Sequence, residues 1–281
     1  MSSAVVQSPL GKKTTYLSQY KRDLLFPIAR KLKRVEINVP EVLPFKGVDI
    51  WNAYELSWLN DKGKPMVAVG EFIFPCESPN IVESKSLKLY LNSFNNTKFS
   101  SIAAVSETIQ RDLSEAAGAI VIVKISPHVI LSTQKEKSAL SVTENNAVCL
   151  DQLDVACDTY SVNPSFLQIE NDNIVAEVLY SDLLKSNCLV TGQPDWGSIQ
   201  IHYVGKTIKH EGMLKYIVSF RNHNEFHEQC VERIFMDVMQ YCQPQHLTVR
   251  AYYARRGGLD INPLRSTETH FSKDHDQFSR S

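Results

Sequence analysis

One cysteine stands where a nucleophilic thiol could act. Cys188 precedes a turn-forming stretch, 191–195 (Thr-Gly-Gln-Pro-Asp), rather than lying inside an apolar run. A nucleophilic thiol must be accessible and partly ionised, and its ordinary pKa is about 8.5. Asp195 ends the stretch, and packing of its carboxyl group against the indole of Trp196 in a dry site would raise its pKa and let it donate a proton at neutral pH. The plainer alternative is a packed cysteine followed by a turn-forming aspartate.

An imidazole opens a long amphipathic helix further along the chain. Apolar residues recur on one face between residues 230 and 242, and His227 and Glu228 stand just before them. Because His227 lies one turn before Cys230, it leans toward the core, where it could pass a proton to a reacting atom. The alternative is a structural histidine beside a glutamate that complements the helix dipole. A zinc site would need further ligands at the usual spacing, and none is evident, so we predict no metal.

Two other segments carry charges suited to a base and to phosphates. The octapeptide 83–90 (Glu-Ser-Lys-Ser-Leu-Lys-Leu-Tyr) alternates polar and apolar residues, which predicts a strand or a sheet edge. Glu83 could accept hydrogen bonds from a guanine-like amine and ring N–H, and Lys85 and Lys88 suit phosphates. The stretch 255–258 (Arg-Arg-Gly-Gly) could form an anion nest. The alternatives are a solvated charged stretch and a basic turn. No Gly-x-Gly-x-x-Gly follows a strand, which argues against a Rossmann site.

The elements that would position these residues occur twice in the chain. Segment 87–99 matches segment 214–226: both begin Leu-Lys, carry Ser-Phe in the middle and end at Phe. Strand-like runs precede them at 66–74 and 198–205, helical patterns follow them, and strand-like runs come next at 119–125 and 247–253. Each half therefore reads strand, strand, helix, strand. The sequence predicts a duplicated α+β fold.

The two halves differ where chemistry would take place. Leu59 aligns with Cys188, and the first half has no histidine where the second has His227, so only the second half can supply a thiol and an imidazole. We predict an N-terminal arm over 1–45, a first domain over 46–150, a second domain over 151–265 and a polar tail over 266–281.

Composition narrows the function classes. The chain has 281 residues, 43% hydrophobic and 22% charged, with 30 Lys plus Arg against 31 Asp plus Glu. That balance lacks the basic excess of a nucleic-acid-binding protein and favours a small or neutral substrate. We find no membrane span and no signal peptide, so we expect a cytoplasmic protein that binds neither membrane nor nucleic acid. None of the six cysteines forms a C-x-x-C pair, and most are expected to be small core residues.

Together these motifs resemble the NADPH-dependent 7-cyano-7-deazaguanine reductases, the nitrile reductases of queuosine biosynthesis, in their tandem-domain form. The resemblance covers about residues 45–265 and rests on four separated segments. They are 83–90 (Glu-Ser-Lys-Ser-Leu-Lys-Leu-Tyr), 186–188 with 193–197 (Ser-Asn-Cys and Gln-Pro-Asp-Trp-Gly), 226–228 (Phe-His-Glu) and 256–263 (Arg-Gly-Gly-Leu-Asp-Ile-Asn-Pro). The first of these is the diagnostic motif of the family, and this sequence keeps all of its fixed positions.

The resemblance implies a fold, a reaction and a set of roles. The fold would be a duplicated tunnelling fold, with antiparallel sheets that carry helices on one face, and we expect a homodimer. The reaction would reduce a nitrile to a primary amine with two NADPH. Cys188 would form a covalent thioimide, Asp195 would donate the proton, and His227 would frame the pocket. The remaining implied contacts are Val82, Glu83, Ser84, Phe226, His227 and Glu228 with the deazaguanine, and Ser84, Lys85, Arg256 and Gly257 with NADPH.

Two alternatives stay open from the residues themselves. The first is a cysteine-dependent hydrolase or a cyclohydrolase acting on a purine-like or pterin-like substrate, and dependence on NADPH separates it from a reductase. The second is a non-catalytic pterin-binding or purine-binding module. Such a module would not need Cys188, so its binding would survive removal of that thiol.

Overall fold

The computed structural model describes residues 16–127 and 147–268. Within them the chain divides into two compact units. The first comprises residues 16–36, 48–127 and 255–261, and the second comprises 37–47, 147–254 and 262–268. Most of the predicted polar tail and the start of the predicted arm lie outside the described residues. No helix in the described ranges is both long and apolar enough to cross a membrane.

The first unit contains an antiparallel sheet, two long helices and a small strand pair. Its elements are β1 (Pro27–Ala29), α1 (Arg30–Arg34), β2 (Lys46–Leu59), β3 (Pro65–Pro75), β4 (Asn80–Val82), α2 (Ser84–Asn92), α3 (Ile102–Ala117) and β5 (Ile122–Pro127). β3 pairs with β2 on one side and with β5 on the other, and β1 pairs separately with β4.

The second unit repeats this arrangement with longer strands. Its elements are β6 (Ala147–Cys149), β7 (Ile169–Asn187), β8 (Pro194–Ile208), α4 (His210–Ser219), α5 (His227–Cys242), β9 (His246–Tyr253) and β10 (Leu259–Ser266), of which residues 262–266 belong to this unit. The strand order is β10-β9-β8-β7-β6, antiparallel except for the parallel pair β6–β7. The predicted α+β class is confirmed.

Each half carries one helix more than the sequence predicted. Between the second and third strands lie two helices, α2 and α3 in one half and α4 and α5 in the other. The prediction of a strand over 83–90 is therefore wrong. Leu87, Tyr90 and Leu91 are buried at helical spacing, and the Glu83 carboxylate caps the helix by accepting hydrogen bonds from two backbone N–H groups. The cap and the spacing outweigh the short polar–apolar alternation.

The core of the first unit lies between one face of its sheet and helices α2 and α3. Burial alternates along β2 and β3, so one face of each strand points inward. The strands contribute Trp51, Phe72 and Phe74, and the helices contribute Leu87, Val105, Ile109 and Leu113. The helical pattern predicted after segment 87–99 is confirmed as α3. Its N-cap is Ser101, whose Oγ accepts from the N–H of Ala104 at 3.1 Å.

The same backbone bridge ties down a strand end in each unit. At the end of β2, Leu59 exchanges two backbone hydrogen bonds with residues 97 and 99, at 2.9 and 2.8 Å. At the end of β7, Asn187 does the same with residues 223 and 225, at 2.8 and 3.2 Å. The predicted duplication thus extends to hydrogen bonding. The bridge matches Leu59 to Asn187, so the predicted alignment of Leu59 with Cys188 is displaced by one residue.

Candidate active site

A tight hairpin turn presents Cys188. The residue comes directly after β7, and its N–H donates to the carbonyl of Gln193, the last residue before β8, at 2.8 Å. Its own carbonyl accepts from the N–H of Gly192 at 3.0 Å, and Gly192 adopts a left-handed φ of 66° that favours glycine. The side chain of Cys188 is half-buried. The thiol therefore stands on a fixed turn with partial access to solvent.

The hairpin also fixes the position of Asp195. In the antiparallel pairing of β7 with β8, Asp195 lies opposite Ser186. Both side chains are buried, and Asp195 is only 3% exposed. Trp196, by contrast, is 41% exposed, because successive residues of a strand point to opposite faces. The expectation that the indole of Trp196 covers the Asp195 carboxyl group is therefore wrong.

The bridge at Asn187 brings the start of α5 to this hairpin. Besides its backbone hydrogen bonds, Asn187 donates through its side-chain amide to the Oδ1 of Asn224 at 3.1 Å. Phe226 is the N-cap of α5, although its side chain makes no capping hydrogen bond, and His227 is the first helical residue. The end of β7 and the start of α5 are thus held together by three hydrogen bonds.

The buried partner of Asp195 is His227. The Nε2 of His227 lies 3.4 Å from the Oδ2 of Asp195, and the histidine side chain is 13% exposed. The imidazole stacks on the ring of Tyr253, at a centroid distance of 3.8 Å and an interplanar angle of 4°. Its other nitrogen, Nδ1, is buried and makes no hydrogen bond within the described residues. The structure therefore brings two of the predicted catalytic residues, Asp195 and His227, into direct contact.

A second thiol, Cys230, lies one turn along α5 from His227. It is fully buried, and burial, followed by the negative charge of Glu225, raises the pKa of its thiol. Asp195 raises the pKa in the same direction. Cys230 therefore stays protonated and inert, whereas Cys188 is partly accessible.

An ion pair that sequence reasoning missed fixes the loop ahead of His227. Glu225 is buried, and the Nε of Arg233 donates to both of its carboxylate oxygens, at 2.8 and 3.1 Å. Arg233 stands two turns into α5, so the pair ties the loop to the helix body. Glu228, a predicted contact of the deazaguanine, is buried in the first turn of the same helix. No signal in the sequence links Glu225 to Arg233, because their meeting depends on where α5 begins.

The first unit holds the predicted base contacts Val82, Glu83 and Ser84 at the junction of β4 and α2. The carboxylate of Glu83 accepts from the N–H groups of Lys85 at 2.7 Å and Ser86 at 2.9 Å. It is 2% exposed, and burial raises its pKa even though these hydrogen bonds lower it. Its Oε1 also accepts from the hydroxyl of Ser84 at 3.4 Å, whereas its Oε2 accepts from Ser86 alone among these groups and keeps a lone pair that a ligand N–H could use. Contact of Glu83 with the substrate of Cys188 stays a prediction.

The predicted cofactor residues also lie in the first unit. Arg256 and Leu259 exchange two backbone hydrogen bonds across Gly257 and Gly258, whose φ values of 59° and 80° require glycine. Space is open around Gly257, where an added Cβ would meet nothing within 4 Å. The donor set of this turn and of Ser84–Lys85 at the start of α2 suits a phosphate-bearing cofactor. Binding of NADPH by these residues stays a prediction.

A tyrosine holds this turn in place. The N–H of Tyr54 donates to the carbonyl of Gly258 at 2.9 Å, and its hydroxyl donates to Asp260 at 2.7 Å. The guanidinium of Arg255 lies over the same ring at 4.7 Å. Within the described ranges, no group of three or more His, Cys, Asp or Glu side chains could hold a metal ion.

Comparison with known proteins identifies relatives along nearly the whole chain. A family model described as "Nitrile reductase, 7-cyano-7-deazaguanine-reductase N-term" matches residues 16–125, and one described as "QueF-like protein" matches residues 194–271. An NADPH-dependent 7-cyano-7-deazaguanine reductase of Dechloromonas aromatica is 57% identical over 269 residues, which are 95% of this chain and 93% of the relative. Reductases of the same name from Cupriavidus metallidurans and Legionella pneumophila are 58% and 56% identical, over 92% and 93% of this chain and 92% and 90% of their own lengths.

Proposed function

Because this chain belongs to the family of NADPH-dependent 7-cyano-7-deazaguanine reductases, we propose that it reduces the nitrile of 7-cyano-7-deazaguanine through a covalent thioimide on Cys188. The product would be 7-aminomethyl-7-deazaguanine, a precursor in tRNA queuosine biosynthesis. The observation that carries the mechanism is the buried Asp195–His227 pair beside the hairpin of Cys188.

The first step adds the thiol to the nitrile. The thiolate of Cys188 forms a bond to the nitrile carbon, one π bond of the nitrile breaks, and the nitrogen takes a proton. Asp195 delivers that proton, and His227 holds the carboxyl group through its Nε2 at 3.4 Å. The product is a thioimide, whose C=N bond can accept a hydride. A serine would add less readily, because a much smaller fraction of its hydroxyl group than of a thiol is ionised at neutral pH.

The remaining steps consume two hydrides and one further proton. NADPH, when bound, supplies one hydride in each of two reductions. After the first reduction the sulfur of Cys188 leaves, since a thiolate is a good leaving group, and an imine remains for the second. The balance is one nitrile, two NADPH and two protons in, and one primary amine and two NADP⁺ out. Asp195 and His227 would supply the proton in these steps as well.

Carboxylates at helix starts would recognise the base. Glu83 and Glu228 are both buried at the beginning of a helix, where each can accept N–H groups of the deazaguanine. Val82, Ser84 and Phe226 stand next to them in sequence and would contact the rings. Burial favours this role, because a carboxylate–ligand hydrogen bond away from water is strong.

NADPH would bind through Ser84, Lys85, Arg256 and Gly257. The support is the fixed Gly257–Gly258 turn, the open space at Gly257 and the cationic side chains of Lys85 and Arg256. Arg256→Ala should weaken NADPH binding in a fluorescence titration while the nitrile still reacts with Cys188. If adduct formation fell and NADPH affinity did not, this assignment would be wrong.

We also propose that the enzyme acts in the cytoplasm as a homodimer. All six cysteines are free thiols, as expected in a reducing compartment. Strand β5 pairs on one side only within the described residues, and Ile122 is exposed on it, so this edge could receive a second copy. Analytical ultracentrifugation tests the dimer, and a monomer at working concentration would contradict it.

Intact-mass spectrometry without NADPH tests the mechanism. The wild type should gain the whole mass of 7-cyano-7-deazaguanine, because no hydride is available to carry the reaction further. Cys188→Ala should form no adduct yet still bind the base, and Asp195→Asn should form it slowly. Cys157→Ala, which removes another half-buried thiol, is the matched control and should react like the wild type.

Two results would overturn the mechanism. An adduct that persists in Cys188→Ala would move the nucleophile to another residue. Release of a product without NADPH would indicate a hydrolase, because hydrolysis of a thioimide needs only water.

A further inference from the structure

We propose that Tyr253 is a positioning residue for proton delivery: its ring fixes the imidazole of His227 so that Nε2 faces the carboxyl group of Asp195. The inference rests on the proposed function only in assigning proton delivery to Asp195. The orientation of the imidazole itself is a property of the protein without substrate.

The imidazole of His227 lacks the usual means of orientation. In most functional histidines, a hydrogen bond at one ring nitrogen sets the direction in which the other nitrogen points. In His227 the Nδ1 is buried and makes no hydrogen bond within the described residues. His227 is also the first residue of α5, where the helix has no side-chain cap. Ring rotation must therefore be limited by packing, and the stacked neighbour is Tyr253, at 3.8 Å and 4°.

Tyr253 is itself held firmly enough to serve as a reference surface. It is buried at the end of β9, pairs with Gly197 of β8, and its N–H donates to the Oδ1 of Asn262 at 3.1 Å. A Cβ added at Gly197 would lie 3.2 Å from the Cδ1 of the Tyr253 ring, so the ring lies close against β8. Asp195 is two residues away on the same strand. One strand thus carries the carboxyl group and supports the ring that orients its partner.

The ring of Tyr253, rather than its hydroxyl group, carries this role. Burial is the largest cause that raises the pKa of Tyr253, and the thiol of Cys230 and the charge of Asp195 raise it further. The hydroxyl therefore stays protonated and adds no charge beside His227. Tyr253→Phe, which keeps the ring, should consequently keep the orientation of the imidazole.

The test compares a variant without the ring, a variant that keeps it and a matched control. Tyr253→Met keeps much of the buried volume but removes the stack, and we expect adduct formation at Cys188 to slow by ~10²-fold, the scale of an ångström-level misplacement. Affinity for 7-cyano-7-deazaguanine, measured in the Cys188→Ala background, should stay unchanged. Tyr253→Phe should react like the wild type. Tyr203→Met removes a buried tyrosine ring from β8 that does not stack on His227, so it should lower the melting temperature without slowing the adduct.

A second variant protects the test against misfolding of Tyr253→Met. Gly197→Ala adds one methyl group 3.2 Å from the Tyr253 ring and 3.3 Å from the carbonyl oxygen of Tyr252. The ring must then shift by a few tenths of an ångström, which should slow adduct formation without emptying the core. Normal adduct rates in both Tyr253→Met and Gly197→Ala would overturn the proposal. Equal slowing in Tyr203→Met would also overturn it, because the effect would then be one of general stability.

An NMR measurement without substrate separates this proposal from the proposed function. Nuclear Overhauser contacts between the ring protons of His227 and the side-chain protons of Asp195 should be present in the wild type and in Tyr253→Phe, and weaken in Tyr253→Met. If the wild type forms no adduct, the proposed function fails, while the NMR spectra still show whether Tyr253 orients the imidazole. Contacts between His227 and Asp195 that stay as strong in Tyr253→Met as in the wild type would refute the orienting role.

Discussion

Glu83 has two tasks that one substitution removes together: it caps α2, and we propose that it binds the base. Glu83→Ala deletes a carboxylate that accepts from two backbone N–H groups at 2.7 and 2.9 Å. The matched control is Ser101→Ala, which removes the cap of α3 in the same unit. Ser101 accepts one hydrogen bond at 3.1 Å and is not among the predicted ligand contacts.

The structure sets the size of each effect. Loss of an N-cap costs about 0.5–2 kcal/mol of unfolding free energy. Glu83 makes two charge-assisted hydrogen bonds, but its burial, which raises its pKa, offsets part of their strength. We therefore expect about 2 kcal/mol for Glu83→Ala and about 1 kcal/mol for Ser101→Ala. In a chain of this size, the melting temperature should fall by roughly 4–8 °C and 2–4 °C, respectively.

Substrate affinity distinguishes the two caps. Glu83→Ala should lose a further ~1.5–3 kcal/mol of binding free energy for 7-cyano-7-deazaguanine, or about 10-fold to 150-fold in Kd. Ser101→Ala should keep the affinity of the wild type. Differential scanning calorimetry gives the melting temperatures, and isothermal titration calorimetry in the Cys188→Ala background gives the affinities without covalent reaction.

The two tasks of Glu83 can be refuted separately. If Glu83→Ala binds the base as tightly as Ser101→Ala, Glu83 is only a helix cap. If Glu83→Ala melts at the wild-type temperature, the two short hydrogen bonds do not stabilise the helix, and the helical cap is not the reason that this segment forms a helix.

Three other outcomes follow from burial and charge. Because burial raises the pKa of Glu83, the part of the stability that is linked to its protonation is full below the ordinary Glu pKa of about 4.3 and is lost as pH rises through the raised value; Glu83→Gln should abolish this pH-dependent decline in urea titrations at successive pH values. Arg233→Met should cost about 3 kcal/mol in urea unfolding, the low end of the range for a broken buried pair, since the buried Glu225 carboxylate keeps, among the described residues, only the Nε2 of His223 at 3.1 Å; a loss below 1 kcal/mol would show that the pair is not needed. Iodoacetamide should alkylate Cys188 in the native protein and leave Cys230 unmodified, as peptide mapping would show; early modification of Cys230 would contradict its burial.

The strands and the amphipathic helices could be predicted from the sequence because their side chains repeat with a regular period. The runs 66–74 and 198–205 lie within β3 and β8, and the pattern over 230–242 lies within α5. The prediction of a strand over 83–90 is wrong because a segment of seven or eight residues can fit both the two-residue period of a strand and the 3.6-residue period of a helix. A helix was also indicated: Leu87 and Leu91 stand four residues apart, and an acceptor side chain precedes them at the cap position.

The site could be predicted only in part, since its geometry depends on register. Because side chains alternate along a strand, Asp195 and Trp196 must face opposite sides of β8, and the sequence alone therefore argues against packing of the Trp196 indole on the Asp195 carboxyl group. The stack of Tyr253 on His227 was not foreseeable, because it depends on the pairing of β9 with β8 and on the residue at which α5 begins. The same holds for the pair between Arg233 and Glu225. Residue types indicate which chemistry is possible, and tertiary contacts decide which groups meet.

The strand-end bridges at Leu59 and Asn187 also bear on how the two halves of the chain could diverge in sequence. Each bridge is made of peptide groups alone, and peptide groups are the same whatever side chain they carry. The turn that follows is also alike: Asn60 donates to the carbonyl of Lys64 at 2.9 Å, as Cys188 donates to that of Gln193. In the first copy the side chain adds to this turn, because the Oδ1 of Asn60 accepts from the N–H groups of Lys62 at 3.0 Å and Lys64 at 2.9 Å. In evolutionary terms, the same backbone frame carries a turn-forming amide in one copy and a thiol in the other, so the side chain could diverge while the strand end stayed anchored.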